Sequence, residues 1–184
     1  MQVRENSKRE IEERLKTMGD YVKMDYLSSC LKSNLDFEAR KFVLNTLAVI
    51  YESRGMHSEA GRMARNSADI NVTFEGKIKD FIKSMELFIK AGIFDEADNV
   101  FNKALVLANH NQKIEIKAKR KEIYFGQAQE FLKKDKRKHA LDTYEKILTL
   151  ELNDMEKKWA QNALLDLYEK LGRVKEYYAL KKIN

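Results

Sequence analysis

Apolar residues recur along this chain in steps of three and four, the spacing that gathers side chains on one stripe of an α-helix. Between Phe74 and Ala91 the stripe is Phe81, Met85 and Phe88. From Asp95 onward it is Ala97, Phe101, Ala104 and Leu105. Gly92 divides the two and predicts a left-handed C-terminal cap, because a side chain in that conformation would clash. Asp95 and Glu96 fall near the start of the second helix, where they suit the positive end of its dipole. The segment reads as helix A, tight turn, helix B, with the small Ala97 facing helix A so that the two backbones approach closely.

The arrangement recurs. Leu44, Leu47, Ala48 and Tyr51 precede Gly55, followed by Ala60 and Ala64. Tyr124, Ala128 and Phe131 precede Asp135, followed by Ala140, Tyr144 and Leu148. Leu164, Leu165 and Tyr168 precede Gly172, followed by Val174, Tyr177 and Leu180. The first copy is the loosest, with Ile11 and Leu15 before Gly19 and Tyr21, Met24 and Leu31 after it. Subtracting the positions Gly19, Gly55, Gly92, Asp135 and Gly172 gives intervals of 36, 37, 43 and 37 residues. Leu15, Tyr51, Phe88, Phe131 or Tyr168 lies four residues before each turn. A period in this range signals stacked supersecondary units.

The sequence therefore predicts an all-α protein, a right-handed α-solenoid of about five helix-turn-helix repeats. Their approximate bounds are 1–35, 36–72, 73–110, 111–152 and 153–184. No linker rich in Gly, Ser or Pro divides the chain, so a single domain over 1–184 is expected. The surplus in the 43-residue interval falls near Asn109 to Lys121, as a longer helix or an extended turn. Asn34 or Asp36 is placed to cap the second helix A and Thr73 the third. Asn153 with Glu156 forms a capping-box pattern for the fifth.

These residues resemble the tetratricopeptide repeat, whose pattern sets an aromatic, Leu-Gly and Tyr in helix A and Ala and an aromatic in helix B. In the third repeat Phe81, Ser84-Met85, Phe88, Gly92, Ala97, Phe101, Ala104 and Asn109 occupy those places. In the second they are Leu44, Leu47-Ala48, Tyr51, Gly55, Ala60, Ala64 and Val72. The Leu-Gly pair is never intact, the terminal Pro is missing, and the intervals exceed the family's usual ~34. Repeats of this longer kind are also similar to those of soluble NSF attachment proteins. Either resemblance implies an α-solenoid whose A helices line a concave, partner-binding groove.

Composition narrows the function. Hydrophobic residues make up 43% of the 184, enough for a continuous core, and Pro, the strongest helix breaker, does not occur. The first ten residues carry no apolar stretch of the secretory kind. The longest apolar run, near Leu47 to Tyr51, is far short of a membrane span. Cys30 is the single cysteine, which excludes an internal disulfide and suits a cytoplasmic setting. It reads as a partly buried helix residue, since His57, His110 and His139 all belong to other repeats. GxxxxGK[ST], GxGxxG and HExxH are all missing. No catalytic activity, cofactor or metal is expected.

Setting the buried stripes inward leaves a second set of helix A positions to line the groove. These are Asn45, Val49 and Glu52 in the second repeat, and Lys79, Ile82, Lys83, Glu86, Ile89 and Lys90 in the third. The fourth contributes Phe125, Gln129, Leu132 and Lys133, and the fifth Trp159, Asn162 and Asp166. Ile82, Ile89, Phe125 and Leu132 form an apolar patch of the kind that marks a partner surface, or else pack on neighbouring A helices. Lys79, Lys83 and Lys90 suit an acidic segment of the partner.

The net charge of +6 also permits contact with polyanions. Lys134, Lys136, Arg137 and Lys138 at the fourth turn are the candidates. Three readings follow. The first is a scaffold or adaptor that binds a peptide or helix of another protein in the groove. The second is an attachment-protein-like or self-associating scaffold. The third is a nucleic-acid or anionic-membrane surface binder acting through the fourth turn, although no recognisable nucleic-acid module accompanies it.

Overall fold

The computed structural model describes residues 5–182, so the outer ends of the first and last expected repeats lie outside the described residues. Ten helices and no strands occur among the described residues. They are α1 Lys8–Leu15, α2 Asp20–Cys30, α3 Phe37–Ser53, α4 His57–Ile70, α5 Phe74–Lys90, α6 Phe94–Leu107, α7 His110–Lys133, α8 Arg137–Ile147, α9 Asp154–Lys170 and α10 Val174–Lys181. The surplus of the longest interval is helix: α7 runs for 24 residues. The chain divides into two compact units, Met1–Ile116 and Lys117–Asn184. The boundary falls inside α7, with no linker rich in Gly, Ser or Pro to mark it.

The odd-numbered helices start at side chains that accept from orphan amides, whereas α2, α4, α6, α8 and α10 have no side-chain cap. The Asp36 carboxylate accepts from the Ala39 amide at 2.7 Å, and the Thr73 hydroxyl from Gly76 at 3.1 Å. Asn153 and Glu156 form the expected reciprocal box, as do Ser7 and Glu10 before α1. Asn109 and Gln112 exchange the same pair of bonds at the head of α7.

Four of the five expected turns share one geometry. Gly55, Gly92 and Gly172 have φ of 73°, 73° and 67°, and Asp135 has 52°. In each, the amide just past the turn donates to the carbonyl of the residue four before it. The pairs are Met56 to Tyr51, Ile93 to Phe88, Lys136 to Phe131 and Arg173 to Tyr168, at 2.8–2.9 Å. In this six-to-one closure the recurring aromatic is the residue whose carbonyl receives the returning chain, and Phe131 also meets the His139 ring of α8 at 5.3 Å between centroids. Gly19 departs from the set. It is the N-cap of α2, with an extended backbone at φ −75°, because α1 already ends at Leu15.

In the first unit α3, α4, α5 and α6 pack in chain order, with α1 and α2 against α3. Ile11, Tyr26, Leu27, Cys30, Val43 and Leu47 share one cluster. The buried face of α4 is made of small residues, Ala60, Gly61, Ala64, Ser67 and Ala68. Small side chains let α5 come close: a Cβ on Gly61 would stand 3.0 Å from the Phe88 ring. The buried Ser84 hydroxyl donates to the Gly61 carbonyl at 2.8 Å across the same contact. In the second unit Tyr124, Phe131, Leu141, Tyr144, Leu164 and Leu167 are buried, and α9 packs on both α8 and α10.

Within each unit, like helices also meet across one repeat. Arg65 of α4 pairs with Glu96 of α6 at 2.8 Å, and Asp69 with Lys103 of the same helices at 3.4 Å. Glu52 of α3 pairs with Lys83 and Lys90 of α5, both at 3.0 Å. In the second unit Lys117 reaches Glu151 at 2.9 Å and Lys121 reaches Glu156 at 2.7 Å. Lys121 of α7 meets Glu156 of α9 and, further along, Phe125 meets Trp159, so α7 and α9 run parallel.

Candidate functional site

In the first unit the expected groove residues of α3 and α5 separate into three kinds. Val49 is 66% exposed, and Lys79 is exposed with no ion pair among the described residues. Ile82 is half-buried, whereas Ile89 is fully buried and offers nothing to a partner. The reason is that α5 buries a broad arc, Ile78, Phe81, Ser84, Met85, Leu87, Phe88 and Ile89. The single stripe read from the sequence was too narrow. Asn45 is exposed at its edge, but its Oδ1 lies 3.0 Å from the Ser67 hydroxyl, which also lies 3.0 Å from Asp80. Asn71 donates to the same Asp80 oxygen at 3.1 Å.

The remaining groove residues of this unit form a closed charge cluster. Lys90 contacts Glu86 at 2.5 Å and Glu52 at 3.0 Å; Lys83 contacts Glu52 at 3.0 Å and Glu86 at 3.5 Å. Burial alone would raise the Glu52 carboxyl, but the ammonium groups of Lys83 and Lys90 outweigh it and hold it below its ordinary value. Burial likewise works against the Lys90 charge, and Glu86 and Glu52 together hold its pKa above the usual value. Two of the three lysines assigned to an acidic partner thus already have carboxylates.

The second unit presents a different face. Phe125 is buried, and Trp159 of α9 lies flat on it, with ring centroids 4.8 Å apart and planes at 16°. The indole remains 46% exposed. Gln129 and Leu132 of α7 and Asn162 of α9 are exposed along the same two parallel helices. Lys133 pairs with Glu130 at 3.0 Å, and Lys134 with the same carboxylate at 3.8 Å. Their charges hold the Glu130 carboxyl below its ordinary value. Arg137 pairs with Asp135 at 2.8 Å, while Lys136 and Lys138 are exposed and form no ion pair among the described residues. The first turns of α4, α6 and α10 each carry an acidic residue; that of α8 carries none.

Charge divides with the units. Residues 117–184 hold 17 Lys and Arg against 11 Asp and Glu, whereas residues 1–116 hold 18 of each. The entire formal excess of +6 therefore belongs to the second unit. The net charge of the whole chain does not reveal this division, which becomes visible only once the boundary at 116/117 is known.

A second feature escaped the sequence. An open groove of about 410 Å³ is lined by Ala68 and Asp69 of α4, Lys77 and Phe81 of α5, and Val106 and Leu107 of α6 among others. Val106 is 82% exposed. Val106 lies off the stripe of Ala97, Phe101, Ala104 and Leu105 read from the sequence.

Cys30 is fully buried beside Tyr26, and burial pushes its thiol pKa up, away from the reactive thiolate. Among the described residues no three His, Cys, Asp or Glu side chains are grouped to hold a metal ion, and no helix is long and apolar enough to cross a membrane. No protein-family model matches the chain, and a search of the curated proteins finds no relative.

Proposed function

We propose that this chain is a non-catalytic scaffold of tetratricopeptide-like repeats, stacked as a right-handed α-solenoid and working in the cytoplasm. It binds a peptide or helix of a partner protein along the like helices α7 and α9. One observation carries this reading: Trp159 is stacked flat on Phe125 while nearly half its surface stays in water. Burying an apolar ring on folding is the ordinary outcome, and a pre-positioned exposed Trp is the kind of residue that anchors a protein interface. Gln129 and Asn162 supply amides that can pair with a peptide backbone, and Leu132 adds apolar area. Pre-organisation matters because ordering side chains on binding costs about 0.5–1.5 kcal/mol each.

Photo-crosslinking tests the reading. A benzophenone amino acid is placed at Gln129 or Asn162, and in control chains at Asp142 on α8. Extract from the native source is added, and adducts are mapped by mass spectrometry. One defined polypeptide joined at Gln129 and Asn162, and lost in Trp159→Ala, supports the scaffold. Adducts only at Asp142, or adducts indifferent to Trp159, refute it.

A further inference from the structure

We infer that the segment received by α7 and α9 is acidic and amphipathic, with its carboxylates meeting Lys133, Lys136 and Lys138 at the end of α7 and the start of α8. This rests on the scaffold reading and specifies its partner. Three observations carry it.

The first is where the charge lies. The second unit holds the whole formal excess of +6, while the first is balanced, with Lys83 and Lys90 already held by Glu52 and Glu86. An acidic ligand gains more where lysines lack a carboxylate or two share one, because less existing pairing is displaced. Lys136 and Lys138 have no ion pair among the described residues, and Lys133 and Lys134 share one carboxylate, Glu130. Complementary fields of this sort steer encounter and set register.

The second is the order of apolar and basic positions. Leu132 follows Phe125 by seven residues on α7, two turns along nearly the same stripe and about 10 Å further on. Lys133 and the basic turn come next. A ligand lying along the helices therefore meets the Trp159 ring first, then Leu132, then the cations. An amphipathic segment with apolar residues at its start and Asp or Glu at its end fits that order.

The third separates protein from phosphate. Glu130, Asp135 and Asp166 are interspersed among the cations of this face, and Asp166 and Asp135 each hold one of them. A polymer with a phosphate at every residue would meet these carboxylates repeatedly, whereas a peptide with spaced charges avoids them. The apolar and amide positions Leu132, Gln129 and Asn162 also favour a protein ligand over a phosphate backbone.

The experiment uses the full chain and three fluorescent probes. One is a 20-residue peptide with Leu and Phe at i, i+3, i+4 and i+7 followed by a run of Asp and Glu. The others are a 20-nucleotide single-stranded RNA and phosphatidylserine vesicles. Anisotropy, or vesicle co-sedimentation, is read for the wild type, for the triple variant Lys133→Glu, Lys136→Glu, Lys138→Glu, and for Lys79→Glu as a first-unit control. Circular dichroism verifies that each variant is folded. The expected result is micromolar peptide binding that weakens by at least about tenfold in the triple variant and by less than about twofold in Lys79→Glu.

Equal loss in both variants, no peptide binding, or binding indifferent to the reversals overturns the inference. So does tighter binding of RNA or vesicles that is lost in the same triple variant, which would assign the patch to phosphates. Failure here is separable from failure of the scaffold reading. A crosslinked partner segment without acidic residues leaves the scaffold standing and removes the acidic ligand. Lysine-dependent peptide binding with no adduct at Gln129 or Asn162 keeps the acidic ligand and removes the groove.

Discussion

Trp159 stacks face to face on Phe125, its counterpart one repeat earlier, with centroids 4.8 Å apart. The pair continues a parallel register that Lys117–Glu151 and Lys121–Glu156 begin. The inner ring is buried and the outer ring is not, so the two aromatics have separable duties. Trp159→Ala should cost folding less than truncating the buried Phe125, because nearly half of the indole already faces water; the stacking itself is worth about 0.5–1.5 kcal/mol beyond area burial. The same substitution should weaken partner binding by at least about 2 kcal/mol, the mark of an anchoring residue. Urea unfolding and titration with the captured partner measure the two separately.

Phe125→Ala should do the reverse. Phe125 is 8% exposed, and truncating a buried Phe costs about 3–5 kcal/mol. A large fall in the urea midpoint is expected. A variant as stable as the wild type would mean that Phe125 belongs to the open patch after all.

Gly92→Ala should destabilise by about 1–2 kcal/mol, the penalty for a Cβ in the left-handed region. Nothing lies within 4 Å of the added methyl, so the effect isolates backbone strain from packing. Gly61→Leu fails for the opposite reason. Its backbone is ordinary helix, but the Phe88 ring already stands 3.0 Å from where a Cβ would go. Overpacking of this kind costs about 1–3 kcal/mol. Thermal unfolding of the two variants tests both mechanisms.

Glu52 links α3 to α5 through Lys83 and Lys90, and its carboxyl is held below the ordinary 4.5. A depressed folded pKa gives stability that is fully present above the unfolded value and lost as pH falls through the folded one. Glu52→Gln should therefore be less stable than wild type by about 1 kcal/mol near neutrality, the upper range for partly exposed ion pairs. The difference should shrink below about pH 4. Lys90, raised in the fold, adds a loss only as pH climbs through and above the ordinary 10.5. Urea midpoints across pH 3–8 measure the carboxylate part, and a difference unchanged at pH 3 would refute it.

Most of the helical plan was legible in the sequence for reasons that are local. The cap residues Asp36, Thr73 and Asn153 and the turn residues Gly55, Gly92, Asp135 and Gly172 act on neighbouring backbone, so their signal survives in one dimension. Gly19 misled because a Gly after a short helix can equally be the N-cap of the next. The open face was harder to read. Ile89 and Leu132 look alike in a helical pattern, yet one is buried and the other 37% exposed. Which stripe is covered depends on how many neighbours a helix has, a tertiary property. Lys83 and Lys90 looked available because Glu52, 31 and 38 residues away, is not a neighbour in sequence. The charge division was present in the residue counts, but it needed the boundary inside α7 to become visible.

Trp159 is the chain's single tryptophan, so its fluorescence reports from the proposed docking face and nowhere else. Acrylamide quenching of that emission, recorded while the captured partner segment is titrated in, is the most direct test. Docking on α7 and α9 predicts a blue shift and a fall in quenching that saturate together with binding measured by an independent label. Saturable binding that leaves both the emission maximum and the quenching of Trp159 unchanged would contradict it.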